Sequence, residues 1–337
     1  MKKLASMEVR RCVVDPDLMF IINSGRACYN DQLLQQKIMY KGLIQTQTTI
    51  YWMQMLADEE IVGNYIQTTN ARKLIEYGFR DESAIGAVIA TKSCIPLPLD
   101  CIIRGYYVPK SNWWKNHKTT DLSKGLQPYQ QLSEPIYTPF STKDGVYVTF
   151  EETVKILKDF LENVFVLEEG SNSEEIAAAL ATEVKEKTIS AYTFAHNYAI
   201  QKDIIIADAN LTFGLLQHSA PELVLIGNTF TPDSSRIWDA KNYKLGEEQY
   251  SMGDYNLRKY LSTSPETIHT IPERILKNVS ESYIDVFQRL FDENVIRISE
   301  NCLWSWKKAL ESIEDEASHR KFLKEIQSYY ESQTPDK

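Results

Sequence analysis

Two apolar, β-branched runs constrain this chain more than any other feature: DIIIADANLTFGL (203–215) and ELVLIGNTF (222–230), separated only by the polar stretch LQHSAP. Runs of this length and composition, bounded by turn residues, read as buried strands. The short connection makes them neighbours, and such a strand pair can hold facing side chains over a cleft. Two further runs, AIGAVIATKS (84–93) and LDCIIRGYYV (99–108), read as buried strands as well. Near the start, VRRCVV and LMFIIN flank the turn signal DPD (15–17), which suits a hairpin.

Helices alternate with these strands. In 41–58, Leu43, Ile50, Met53 and Leu56 recur at helical spacing. Thr149 and Glu152 form a capping-box pattern just before VKILKDFLENVF. A longer helical stretch covers 171–203, and the chain reads as helical from about 265 to its end. Residues 109–147, rich in Pro, Ser, Thr, Lys and Gln, are expected to form a long loop region. Trp304 and Trp306 are expected to pin the terminal helical stretch to the body, and Trp113-Trp114 to anchor a loop or stack on a base. The expected fold class is α+β.

The net charge of −9, with Lys and Arg scattered, argues against non-specific nucleic-acid binding, which needs a basic surface. Five cysteines without CxxC or Cys/His spacing read as reduced thiols, which points to a cytoplasmic protein. No window approaches ~20 uninterrupted apolar residues, so no membrane partner is expected.

Several motifs, in order along the chain, resemble those of the SAICAR synthetase family: YKG (40–42), PLDCIIRGYY (98–107), SEPIYTPFSTK (133–143), YVTFEETVKIL, ADANLTFG (207–214), TPDSSRIWD (231–239) and IPERILKNVSESYIDVF (271–287). The likeness runs from about residue 7 to about residue 290. It implies a β-rich N-terminal lobe (1–108) over a larger α+β substrate lobe (109–290), with a helical C-terminal tail (291–337). The family joins aspartate to a carboxyaminoimidazole ribonucleotide at the expense of ATP. By the resemblance, Arg104, Ser111 and Arg236 hold the ribonucleotide phosphate, and Asp233, Ser234 and Lys110 lie at the substrate. Arg10, Arg26, Lys41, Asp100, Asp208 and Lys143 are nucleotide-cleft candidates. Two guanidinium forks on one phosphate suit its geometry, because charge-assisted bonds can be bidentate. His117 and His218 are general-base candidates, since imidazole titrates near neutrality. His196 reads as structural.

The departures from the family fall on ATP and metal. The resemblance implies Mg²⁺ held by a Glu and an Asp on adjacent strands, and here Thr212 and Gly227 occupy those positions. A family Lys is Asn210, and a Gly-Lys pair in the first hairpin is Met7-Glu8. No metal ligand is therefore assigned, and ATP and Mg²⁺ are cofactors by family implication only. Three readings stay open. The leading one is a specialised, secondary-metabolic paralogue that binds a phosphoribosyl-azole or related nucleotide and makes or breaks a C–N bond, with Mg-ATP use lost or altered. The others are an ordinary ATP-dependent SAICAR synthetase of purine biosynthesis and a non-catalytic nucleotide-binding pseudoenzyme. The partner is a small phosphorylated molecule, with a homo-oligomer open.

Overall fold

The computed structural model describes residues 7–30, 32–116, 124–165, 171–216, 222–264 and 270–312. The chain opens with the expected hairpin, β1 (Met7–Arg11) and β2 (Leu18–Asn23), then a small pair, β3 (Arg26–Tyr29) and β4 (Gln32–Lys37). Helix α1 (Lys41–Asp58), β5 (Ile66–Thr68), α2 (Ala71–Glu76) and β6 (Val88–Lys92) follow. The strand β7 (Cys94–Tyr106), the short α3 (Asn112–Asn116), β8 (Gln131–Ser141) and β9 (Val146–Tyr147) lead to α4 (Phe150–Val164) and the long α5 (Ser173–Ile200). Then come β10 (Ile204–Leu216), β11 (Glu222–Ile226), β12 (Ser235–Asp239) and β13 (Ser251–Met252), and last α6 (Tyr255–Thr263), α7 (Glu273–Phe291) and α8 (Val295–Glu311).

A four-stranded sheet, ordered β1-β2-β6-β5, forms one layer. A seven-stranded sheet runs β13-β12-β10-β7-β8-β9, with β11 paired to the far half of β10. All pairings named here within these sheets are antiparallel. The largest core lies where α4 and α5 cover the large sheet: Leu157, Leu161, Ala181, Val184, Ala191 and Ala195 meet Ile103, Leu211 and Phe213. The alanines along α5 let its backbone approach the strands closely. Trp52, Met53 and Leu56 of α1 join the same cluster, which ties the helix to both sheets.

Two expectations need correction. The loop read at 109–147 contains the eleven-residue strand β8. Its prolines, Pro135 and Pro139, suggested a loop, but along most of its length β8 pairs only with β7. A missing N–H is tolerated on such an edge. The motif at 231–239 is a turn followed by β12. Of the two tail tryptophans, Trp306 packs edge-on against Phe79 at 6.0 Å and is buried, whereas Trp304 is 64% exposed. Of the two, Trp306 pins α8, together with Val295 and Ala309. Trp113 and Trp114 are both buried, so they anchor their loop. Among the described residues no helix is long and apolar enough to cross a membrane.

The capping box at α4 is present in full: Thr149 Oγ1 accepts from the Glu152 N–H at 3.2 Å, and Glu152 Oε2 accepts from the Thr149 N–H at 2.7 Å. Thr149→Ala is expected to lower stability by about 1 kcal/mol, measured as a shifted urea midpoint with unchanged slope.

Candidate functional site

Strand pairing alone brings three charged side chains into one row. Asp208 of β10 is the register partner of Arg104 on β7 and of Arg236 on β12. Directly opposed residues project from the same face of a sheet. A register shift between Ile206 and Asp208 falls at this point, and such irregularities re-aim side chains. Arg236 Nη1 donates to Asp208 Oδ2, and Arg104 Nη1 lies 3.7 Å from that same oxygen.

Arg104 is almost fully buried, at 4% exposure, and its remaining donors are satisfied from β8 and β9. Its Nε donates to Thr138 Oγ1 at 3.2 Å and its Nη2 to Tyr147 OH at 3.0 Å. The Trp113 ring centroid is 5.2 Å from its guanidinium carbon. Burial pulls Arg104 below its ordinary pKa, while Asp208 and Tyr147 pull it back up. Two cations held against one carboxylate form a preorganised anion cradle: a phosphate can take the place of Asp208 on both forks.

Ser111 lies two residues before Trp113, and its Oγ is buried without a hydrogen-bond partner among the described residues. Asn210 Oδ1 and Ser235 Oγ are unpartnered in the same way. Buried polar atoms of this kind ordinarily find a partner, so a donor and acceptor inventory for a polar ligand is present. Ser234 instead closes its own turn, accepting from the Thr231 N–H at 3.0 Å. Lys110 is exposed and bonded to Glu248 at 2.6 Å, so its charge is directed at that acid and not toward the arginine pair. Lys143 is exposed on the turn after β8. His117 and His218 lie outside the described residues. His196 Nδ1 donates to Ile206 O, 3.3 Å away, and its ring stacks on Tyr192, a structural setting in which burial lowers its pKa.

The N-terminal candidates assemble elsewhere. Met7, Glu8, Arg10, Asn23, Arg26 and Lys37 line a cavity of about 270 Å³ between the first hairpin and the β3–β4 pair. Arg10 is committed to Glu8 at 2.7 Å and to Asp81 at 3.2 Å, and the Glu8 hydrogen bond, opposed by desolvation, leaves it above its ordinary pKa. Arg26 Nε is buried without a partner among the described residues. Lys41 is fully buried and donates to Asp233 of the turn before β12. Tyr283, Asp254 and Arg258 also gather at Asp233, and sequence reasoning missed all three. Tyr283 sits on the buried stripe of α7 with Val279, Val286, Phe287 and Leu290, a spacing that reads as core.

The positions where Mg²⁺ ligands were expected do not fit that ion. Thr212 is paired with Asp100 and Ile226 across the sheet. Gly227 has φ +73°, and its N–H donates to the buried Tyr65 OH at 3.0 Å. A side chain at 227 would start 3.7 Å from the Met7 methyl. Mg²⁺ demands hard oxygen ligands, and a thioether methyl offers none. Asp208, Asp233 and Glu8 are each engaged by a cation of the protein itself.

A family model described as SAICAR synthetase matches residues 9–275. Two relatives, the phosphoribosylaminoimidazole-succinocarboxamide synthases of Thermodesulfovibrio yellowstonii and Lachnospira eligens, are 32% and 30% identical, each over 86% of this chain and 95% of its own length. Among solved structures, a SAICAR synthase superposes with a TM-score of 0.69 at 24% identity, covering 86% of this chain and 93% of its own. The SAICAR-synthase from Saccharomyces cerevisiae, complexed with SAICAR, gives 0.68 at 22% identity, covering 87% and 97%. These two establish the shared fold.

Arg236→Ala is expected to weaken binding of a phosphate-bearing ligand by about tenfold to a hundredfold, the range for a lost charge-assisted hydrogen bond. Calorimetry with a sugar phosphate, against Lys110→Ala as the control that keeps affinity, checks this.

Proposed function

The chain belongs to the SAICAR synthetase family, and we propose that it acts as a carbon–nitrogen ligase that seats a phosphoribosyl-azole by its phosphate on Arg104 and Arg236. The observation that carries this reading is the convergence of both guanidinium groups on one carboxylate oxygen of Asp208. The ligand's phosphate displaces that carboxylate, and Ser111 Oγ, otherwise unpartnered, adds a hydrogen bond. Burial of Arg104 under Trp113 strengthens the pairing by excluding water. Asp233 stands in the turn before β12, three residues from Arg236, where it faces the rest of the substrate. The names carried by the relatives support the ordinary reaction of purine biosynthesis, aspartate joined to a carboxyaminoimidazole ribonucleotide, ahead of a specialised paralogue.

A second reading has its own observation. Thr212, Gly227 and the Met7 side chain above it supply no carboxylate for Mg²⁺, and Glu8 puts an acid on the first hairpin. On this reading the ribonucleotide still binds, and the family's metal-assisted use of ATP is lost or altered.

The carboxyaminoimidazole ribonucleotide is expected to bind the wild type in calorimetry and to fail with Arg236→Ala; a wild type that does not bind it sinks the proposal. Adding aspartate, ATP and Mg²⁺ separates the two readings. Equal amounts of ADP and succinocarboxamide product identify the ordinary enzyme. Binding without ADP release identifies the second, and Thr212→Glu with Gly227→Asp is then expected to introduce Mg²⁺-dependent ATP binding.

A further inference from the structure

Both oxygens of the Asp233 carboxylate are engaged from other elements. Lys41 Nζ, at the first residue of α1, donates to Oδ2, and Tyr283 OH, from the middle of α7, donates to Oδ1. Both donors are fully buried, whereas the Asp233 side chain keeps 21% exposure. The Lys41 ammonium also lies 5.4 Å from the Tyr283 ring centroid. One carboxylate thus joins α1, α7 and the turn before β12.

A third element braces the same turn. Gly253 has φ +102°, and a Cβ there would stand 3.0 Å from Pro232 Cβ and 3.2 Å from Pro232 O. Only a glycine lets the 253–254 backbone lie this close to the residue that precedes Asp233. Its N–H donates to Ser282 Oγ at 2.7 Å, next to Tyr283. Asp254 follows, held by Arg258 Nε at 2.9 Å, and both face Asp233 electrostatically.

We propose that Tyr283 and Lys41 are positioning residues of this enzyme: they lock the Asp233 carboxylate in one orientation at the cleft, and the Gly253-Asp254 turn holds the Asp233 loop against them. The role rests on the proposed function above, in which Asp233 faces the ribonucleotide. Free Asp side chains rotate; a carboxylate fixed at both oxygens presents a single direction to a substrate, which is how orientation contributes to rate. Tyr283 remains a donor throughout, because burial and then the Asp233 charge hold its phenol far above its ordinary value.

The groups facing Asp233 set its charge. Burial raises its pKa. The Lys41 charge and the hydrogen bonds from Lys41, Tyr283 and Gln45 outweigh that and leave it below the ordinary carboxylate value. Asp254 opposes them: burial, relieved by Arg258, and then the Asp233 charge leave its own pKa raised. The stability that Asp233 contributes is therefore present above its ordinary value and lost as pH falls through its depressed one. Removing the Tyr283 donor moves that loss to higher pH; Asp254, whose raised pKa makes it take its proton first, is already neutral in that range.

The test is a ¹³C-carboxylate NMR titration, with the Asp233 signal assigned by its disappearance in Asp233→Asn. Tyr283→Phe is expected to raise the Asp233 proton affinity about tenfold, the effect of losing one hydrogen bond to a buried carboxylate. Lys41→Met is expected to raise it as well, by removing a charge and a donor together, and it serves on its own if Tyr283→Phe does not fold. In turnover, Tyr283→Phe is expected to lower kcat with little change in the ribonucleotide KM, and to move the acid limb of the kcat profile upward. An Asp233 midpoint unmoved in the folded variants overturns the proposal, as does a moved midpoint with kcat unchanged. Wild-type protein that titrates as described but binds no ribonucleotide overturns the functional reading, a result distinct from either.

Discussion

The site depends on one strand being paired along both edges. β10 is buried nearly end to end, and its backbone groups must find partners there. β7 satisfies one edge. β12 and β11 divide the other, the first taking Ile204–Ala209 and the second Thr212–Leu216. That division puts Asp208 between Arg104 and Arg236, and it puts Thr212 between Asp100 and Ile226. Asp208 and Thr212 are thus four residues apart on one strand, fixed by the same ladder.

The charges in the cleft are balanced internally. Two arginines share Asp208, Lys41 faces Asp233, and Arg10 is occupied by Glu8 and Asp81. A buried guanidinium without a counter-charge would cost several kcal/mol, so Arg104 can be kept in the core only with Asp208, Thr138 and Tyr147 around it. At the first hairpin Arg10 is paired with the acid two residues before it, Glu8.

Much of this was legible in advance. The α1 and α4 helices, the capping box, the hairpin around 15–17 and the β10–β11 pair follow from periodicity and turn residues. Arg104 and Arg236 stood out through the motifs around them, and family membership followed from the order of those motifs. Other features left no readable signal. β8 hid behind two prolines that an edge strand tolerates. Lys110, given as lying at the substrate, pairs with Glu248 from 138 residues away, a contact that no local pattern announces. Tyr283 carried the spacing of an ordinary core residue, and Asp254 stood in a stretch with no motif. Trp304 and Trp306 looked equivalent, two residues apart, but that separation on a helix turns them to different faces.

The amino-acid sequence by itself determined the fold class and the family, because local pattern and motif order are properties of the chain alone. It also determined that no carboxylate stands at positions 212 and 227. Only the tertiary structure decided which charges meet. Asp208 bridges two arginines because three strands place it between them. Asp233 is clasped by Lys41 and Tyr283 because helices from opposite ends of the chain pack around one turn. Pairing of charges depends on distances of a few ångströms, and those are set by packing between segments that are remote in sequence.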